Sequence, residues 1–187
     1  MSISATTVEV IKSDEDLILF QECFAREFGY NIGDLDFFRG CTVLLFRDQQ
    51  GSPVGGYCIN TDQSFRVLSG LPTEIADDFR RKAVDLNPYE INMLWVDKEH
   101  RLGRIRNEIW LHTFETMLER HDQVILVATT SDILHEMYAQ AGMETIFDGL
   151  IVHNNETLRK RVMYSDNILS TQVPRLRELL RKRLGLQ

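Results

Sequence analysis

Apolar and polar residues follow strand and helix periods in turn along the first part of the chain. A strand-like run at 6–12 comes first, and apolar residues then recur near helical spacing from Leu17 to Phe28. Ser13 stands where a helix N-cap is expected, and Gly29 stands where the helix would end. This pattern predicts one short strand followed by one amphipathic helix.

The next segment has the pattern of a β-hairpin. In "CTVLLFRDQQGSPVGGYCIN", two apolar runs flank the turn-forming "DQQGSP". Pro53 and the pair Gly55–Gly56 predict either an edge position or a bulge in the second strand. After the hairpin, Thr73 is a candidate cap for a short helix, and Pro88 closes that segment.

The second half of the chain alternates strands and helices. "YEINMLWV" predicts a strand, "GRIRNEIWLHTFETMLER" a helix, and the apolar run "DQVILVATT" a central strand covered on both faces. A helix from Ser131 to Gly142 follows, and "METIFDGLIVHN" and "LRKRVMYSD" predict the last two strands. The segment 166–187 ends the chain as a basic amphipathic helix, an appendage that begins near Pro174.

Together these elements predict an α/β (α+β) fold, with a mixed, mostly antiparallel sheet and helices on both faces. The 187 residues, 43% hydrophobic and 26% charged, suit one soluble domain spanning 1–187, and no repeat or linker interrupts it.

Charge and cysteine content narrow the function classes. The net charge of -7 argues against nonspecific nucleic-acid binding. No apolar run is long enough to span a bilayer and the first residues lack a signal pattern, so we expect a cytoplasmic protein with no membrane insertion. Three widely spaced cysteines and five scattered histidines predict neither a disulfide framework nor a metal site, and Cys41 and Cys58 are expected to pack as small hydrophobes.

Three arginines crowd the start of the helix after "YEINMLWV". Cations are unfavourable beside a helix N-terminus unless an anion lies between them, and phosphate is the anion that helix N-termini commonly bind. Arg101, Arg104 and Arg106 therefore indicate a phosphate site. The alternative is a solvated basic turn beside Asp97 and Glu99.

The strand and helix order from 89 to 165, together with "DKEHRLGRIR" and "YAQAGM", resembles the GNAT acyltransferase superfamily. The resemblance implies transfer of an acyl group from acetyl-CoA or a longer acyl-CoA to a primary amine, without a metal. It also implies that backbone N–H groups of one strand polarise the thioester, while a loop at a helix N-terminus binds the pyrophosphate. The positions are Leu94, Trp95, Val96, Arg101, Gly103, Arg104, Ile105 and Arg106.

The chain departs from the GNAT pattern within that loop. Arg101 matches the first position of the signature, but Arg104 and Arg106 stand where the family usually has glycine or alanine. Arginine does not let a ligand approach the backbone as closely as glycine does, although a guanidinium can itself hold phosphate. Gly103 supplies a turn in a shifted register.

The resemblance also assigns two catalytic candidates. Tyr138 of "YAQAGM" matches the tyrosine that protonates the leaving thiolate in many relatives, and Glu90 matches a glutamate that draws the amine proton through water. The alternatives are a buried core tyrosine beside Leu134 and Ala141, and a strand-end glutamate exposed to water. Alternation places Glu90 and Asn92 on one strand face.

A closer branch is also visible, since the chain resembles the acyl-homoserine-lactone synthases and the long-chain N-acyl amino acid synthases. Matching positions are Arg66, Leu71, Pro72, Thr73 and Glu90, whereas Tyr89, Asn92 and Met93 depart from the branch pattern. This likeness implies a fatty acyl donor, with Met93, Trp95, Leu126 and Phe147 lining a tunnel or else serving as plain core.

The sequence thus predicts an N-acyltransferase acting on a small-molecule amine. The basic C-terminal helix is a candidate docking surface for an acidic acyl carrier protein, or else a solvated helix packing its leucines on the sheet. A second function stays open, namely a GNAT-fold module that binds acyl-CoA or a protein partner without catalysis. A homodimer through edge strands or the terminal helix also stays open.

Overall fold

The computed structural model describes residues 5–29, 34–62, 64–83, 85–153 and 156–186. The predicted domain 1–187 includes residues beyond these ranges, among them Asn154 of the predicted "METIFDGLIVHN" strand, which lies outside the described residues. The strands are β1 (Thr6–Ile11), β2 (Thr42–Asp48), β3 (Pro53–Asn60), β4 (Tyr89–Val96), β5 (Ile125–Thr129), β6 (Glu144–His153) and β7 (Glu156–Ser165). The α-helices are α1 (Asp14–Phe28), α2 (Leu35–Gly40), α3 (Thr73–Ala83), α4 (Arg104–Glu119), α5 (Asp132–Gln140) and α6 (Val173–Leu184).

The strands form one seven-stranded sheet in the order β1-β2-β3-β4-β5-β7-β6. Strand β2 pairs with β1 and β3 antiparallel, and β7 pairs with β5 and β6 antiparallel, whereas β4 and β5 are parallel. The predicted α/β class with a mixed, mostly antiparallel sheet is confirmed. The chain forms two compact units: residues 1–60, 93–115 and 177–187 make the first, and residues 61–92 and 116–176 make the second.

The first unit packs helices on both faces of its strands. Val43 and Leu45 of β2 share a cluster with Phe20 of α1 and Phe38 of α2. The alternate residue Phe46 faces α4, where its ring lies 5.3 Å from that of His112. The helix boundary signals were read correctly, since Ser13 caps α1 and Gly29 ends it at a φ of 78°. Helix α2 was not predicted.

Strand β3 corrects one expectation from the sequence. It lies inside the sheet between β2 and β4, so the edge position suggested by Pro53 and Gly55–Gly56 is wrong. The bulge is confirmed, because the β2–β3 register shifts between Phe46 and Arg47. The glycines mark close approach: a Cβ on Gly56 would lie 2.6 Å from the Leu44 carbonyl oxygen and 2.6 Å from the Phe20 ring.

The second unit has its own core on one face of β5 and β7. Val124, Leu126 and Val162 pack with residues of α3 and of a short 3₁₀ turn at Arg66–Leu68. Helix α3 begins at Thr73 itself, and the Pro72 carbonyl accepts from the N–H groups of Ile75 and Ala76, so Thr73 lies one position inside its predicted cap.

The remaining predicted elements are present. Ser131 caps α5, and the basic terminal helix spans Val173–Leu184. Cys58 is fully buried and Cys41 packs against the same cluster, as expected of small hydrophobes. Within the described ranges, no helix has the length and apolar character needed to cross a membrane.

Candidate functional site

Strand β4 is paired with β5 only over its first residues. Among the described residues, the parallel register joins Tyr89 to Ile125 and Glu90 to Leu126, whereas β4 continues to Val96. Met93 has a φ of 52°, which is uncommon for a residue other than glycine and typical of a bulge. Glu90 therefore lies at the last paired position, ahead of an irregular stretch of strand.

The Glu90 carboxylate is fully buried and held by three hydrogen bonds. Its two oxygens accept from the backbone N–H of Arg66 at 3.1 Å and of Val67 at 2.9 Å, and the Asn92 side-chain amide donates at 2.9 Å. Because these donors are in place, the carboxylate avoids the large cost of an unpaired buried charge. The expected common face of Glu90 and Asn92 is confirmed, and the exposed strand-end reading of Glu90 is wrong.

Lys160 of β7 lies close to this carboxylate, and the sequence analysis missed it. Its ammonium donates to the Ser69 carbonyl at 2.8 Å and to the Arg66 carbonyl at 3.5 Å. Burial lowers the pKa of Lys160 to about 8, while the charge of Glu90 opposes that shift. The 3₁₀ turn at Arg66–Leu68 is thus held through N–H groups by Glu90 and through a carbonyl by Lys160.

The candidate donor-binding residues of β4 fall in the first unit. Trp95 is buried in its core, Met93 packs against that core while half-buried, and Leu94 and Val96 are half-buried as well. Just beyond the strand, the Asp97 N–H donates to the Val54 carbonyl at 2.9 Å, which ties the end of β4 to β3.

The loop from Arg101 to Gly103 leads directly into α4. Gly103 has a φ of 113°, a conformation that side chains other than glycine rarely adopt, and it precedes the first helical residue Arg104. The N–H groups of a first helical turn have no partner within the helix, so those of Arg104, Ile105 and Arg106 have the geometry of an anion site. Gly103 accordingly supplies the turn, as the shifted register predicts.

The arginines of this loop meet carboxylates that the sequence did not indicate. Arg101 donates to Glu27 at 2.8 Å, and Arg104 donates to Glu108 at 2.7 Å. Both acids are largely buried, with side-chain exposures of 7% and 10%. Glu108 also accepts from the backbone N–H of Thr6 at 3.0 Å. Two of the three cations therefore have acidic partners, and these partners are Glu27 and Glu108 and not the neighbouring Asp97 and Glu99.

Tyr138 lies on α5 and its side chain is buried, with 5% exposure. Burial raises the pKa of its phenol well above the usual value, so the hydroxyl stays protonated through the physiological range. Ala141 is buried nearby in sequence, at 1% exposure. A protonated phenol suits the role of acid, and the burial also fits a core tyrosine.

The four candidate tunnel residues separate into two clusters. Met93 and Trp95 pack with α1 and α2, whereas Leu126 and Phe147 pack with α3 and the 3₁₀ turn. In the described residues, no group of three or more His, Cys, Asp or Glu side chains could hold a metal ion.

The chain shares its fold with solved acetyltransferase structures, which agrees with the GNAT-like fold that the sequence resemblance implied. The chain is similar to FeeM, an N-acyl amino acid synthase from uncultured soil microbes, with 12% identity, a TM-score of 0.64 and coverage of 89% of this chain and 94% of FeeM. It is also similar to BjaI, a CoA-dependent acyl-homoserine lactone synthase, with 13% identity, a TM-score of 0.59 and coverage of 98% and 90%.

A plant enzyme shares the fold as well. Arabidopsis thaliana Naa50, in complex with a bisubstrate analogue, matches with 13% identity, a TM-score of 0.61 and coverage of 86% of this chain and 98% of Naa50. No protein-family model matches the sequence, and no curated protein sequence matches it significantly. The likeness is therefore one of fold, and it includes both synthase types that the sequence suggested.

Proposed function

We propose that this protein is an N-acyltransferase that moves an acyl group from an acyl-CoA thioester to a primary amine. The observation that carries the proposal is the buried Glu90, held by three donors at the end of the β4–β5 pairing in a GNAT fold. A buried and oriented carboxylate at the point where two strands stop pairing is a good candidate for a site residue.

The donor is proposed to bind through backbone groups. The N–H groups of Leu94, Trp95 and Val96 polarise the thioester carbonyl, and those of the first turn of α4 receive the pyrophosphate. Arg101, Arg104 and Arg106 add positive charge around that turn. The positive φ of Gly103 supports this assignment, because it turns the chain into the helix without a side chain beside the ligand.

The chemistry is a direct attack that needs no covalent enzyme intermediate. The amine nitrogen forms the new C–N bond, the C–S bond breaks, and the electron pair of that bond leaves with sulfur. Glu90 takes the amine proton through water, and Tyr138 returns a proton to the thiolate. The protonated state of Tyr138 supports its role as the acid.

Two features favour a donor longer than acetyl, although acetyl-CoA stays within the proposal. FeeM is an N-acyl amino acid synthase and BjaI was solved with isopentyl-CoA. An acyl carrier protein is a further proposed partner, and α6 offers Arg181, Lys182 and Arg183 in its last turn. Arg181 already pairs with Glu115 at 3.2 Å, which supports a packed rather than a docking helix at that point.

The proposal is tested by a thermal-shift series with coenzyme A, acetyl-CoA and acyl-CoAs of increasing chain length. A ligand that binds only the native state raises the melting temperature, so binding of any member is expected to shift it. Gly103→Val places a β-branched residue at positive φ in the donor loop and is expected to abolish the shift. Glu136→Gln, an exposed change on α5, is the matched control that keeps it.

The second candidate is a GNAT-fold module that binds acyl-CoA or a protein partner without catalysis. The specific observation in its favour is that Arg101 and Arg104 already have carboxylate partners, so less positive charge remains for phosphate. A melting shift without thiol release across a broad amine panel would support this module, and robust turnover would remove it.

A further inference from the structure

A cavity of about 590 Å³ lies under α3, within the second unit. Its floor is apolar and comes from α3, from the segment before β4, from the residue before β5, and from β6 and β7: Ile75, Phe79, Leu86, Val124, Ile146 and Tyr164. The Phe79 and Tyr164 rings meet edge-on at a centroid distance of 6.0 Å. Its size falls within the range of small-molecule sites.

The lining of this cavity is acidic. Glu74, Asp78 and Asp166 contribute carboxylates, and the described lining residues include no lysine, arginine or histidine. On α3 the pairs Glu74–Asp78 and Ile75–Phe79 both follow i, i+4 spacing, so an acidic row and an apolar row run side by side along the cavity. Tyr164 brings a fourth carboxylate near, because its hydroxyl donates to Glu144 at 3.1 Å.

This combination selects a ligand by charge. Three carboxylates repel phosphates and fatty acids and attract cations, while the apolar floor gains free energy when it covers hydrocarbon. Asp78 forms an ion pair with Arg81 at 3.5 Å, which offsets part of its charge. Neither a plain hydrocarbon nor a small hydrated ion satisfies both parts of the lining.

We propose that this cavity binds a small amphiphilic amine, with the ammonium group at Glu74 and Asp166 and the hydrocarbon on Phe79, Val124 and Ile146. The cavity lies on the sheet face that carries the Glu90 carboxylate. Residues paired across two strands point to the same face, and Glu90 is paired with Leu126. Val124, which lines the cavity, stands two residues before Leu126 and packs in the same cluster, so it lies on that face as well. The inference concerns binding alone and stands apart from the proposed transferase activity.

The test uses the full chain and four probes that differ in charge or in chain length: octylamine, butylamine, octanol and octanoate. Calorimetric titration at neutral pH is expected to show octylamine binding at least about tenfold more tightly than the other three, since only octylamine combines a positive charge with a long chain. Methyl NMR spectra are expected to shift at Ile75, Val124 and Ile146. Equal affinity for octylamine and octanol, or shifts confined to other methyl groups, would overturn the proposal.

Charge variants complete the test. Glu74→Gln combined with Asp166→Asn removes two exposed carboxylates without touching the core, and it is expected to weaken octylamine binding about fivefold or more. Asp77→Asn removes one charge from the same helix outside the lining and is expected to change binding less than about twofold. Unchanged binding in the double variant would contradict the assignment. A protein that binds octylamine but no acyl-CoA would keep this inference and lose the transferase proposal.

Discussion

At the scale of single residues, the buried carboxylate of Glu90 has a structural role and a proposed catalytic role, and stability and rate measurements report on them separately. It receives two backbone N–H groups of the 3₁₀ turn, and it is the proposed acceptor of the amine proton. The first role affects folding and the second affects rate. A conservative change at this position therefore separates structure from chemistry.

Glu90→Gln is expected to lower kcat about 100-fold or more, because an amide cannot accept the proton. It also turns an NH₂ group toward the turn, so the free energy of unfolding is expected to fall by about 1–3 kcal/mol. Rate and urea-unfolding measurements on the same sample check both values. Full turnover in the variant would remove Glu90 from the chemistry.

Tyr138→Phe is expected to lower kcat about tenfold while lowering the free energy of unfolding by no more than about 1.5 kcal/mol, since it removes one hydroxyl from a buried ring. Because burial raises the Tyr138 pKa, wild-type activity is expected to show no loss from this phenol up to about pH 10. A pH–rate profile and steady-state kinetics check the prediction. If the variant kept its rate and lost stability instead, Tyr138 would be a core residue.

Lys160 makes a prediction about pH and stability. Its folded pKa of about 8 lies below the ordinary 10.5, so between these values the unfolded chain binds more protons, and stability gained from this residue rises with pH. Between pH 8 and pH 10.5, the free energy of unfolding of the wild type is therefore expected to rise relative to that of Lys160→Met. The expected rise is about 1 kcal/mol, after allowance for solvent screening. Urea titrations at several pH values check it, and a constant difference would contradict the burial argument.

At the scale of elements, helix ends were predictable because their signals are local. Ser13, Gly29, Ser131 and Gly142 each act within one turn of chain, and all four stand where the sequence placed a boundary. The interior position of β3 was not predictable, since glycine in a strand is compatible both with a bulge at a sheet edge and with a crowded sheet interior. The structure has the crowded interior because α1 and α4 pack against Gly56 and Gly55, and both helices are distant in sequence from β3.

Gly142→Ala and Gly29→Ala form a matched pair at this scale. Both glycines end helices at positive φ, 89° and 78°, but a Cβ on Gly142 would lie 3.1 Å from Thr171 Cβ, whereas one on Gly29 meets nothing within 4 Å. Both are expected to lose about 1 kcal/mol through backbone strain, and Gly142→Ala about 1–2 kcal/mol more through overpacking. Equal losses in thermal unfolding would show that Thr171 moves aside at no cost.

At the scale of the whole molecule, the sequence predicted the fold class because the strand and helix periods are long and regular. The GNAT resemblance came from the order of elements and from the motifs "DKEHRLGRIR" and "YAQAGM". The sequence also placed Glu90 and Asn92 on one face. It could not supply the neighbours of Glu90, which are the 3₁₀ turn and Lys160, or the partners of Arg101 and Arg104, which are Glu27 and Glu108. These residues come from distant parts of the chain, and no local period links them. The backbone N–H of Arg66 donates to Glu90, a contact that any residue except proline could make.

The most direct test of the central claim is to incubate the protein with carbonyl-labelled acyl-CoA and a panel of primary amines and to detect labelled amide by mass spectrometry. The account predicts labelled amide and free coenzyme A in equal amounts with wild type, and about 100-fold less of both with Glu90→Gln. Free thiol without amide, or no thiol release from any donor and amine despite donor binding, would contradict an N-acyltransferase.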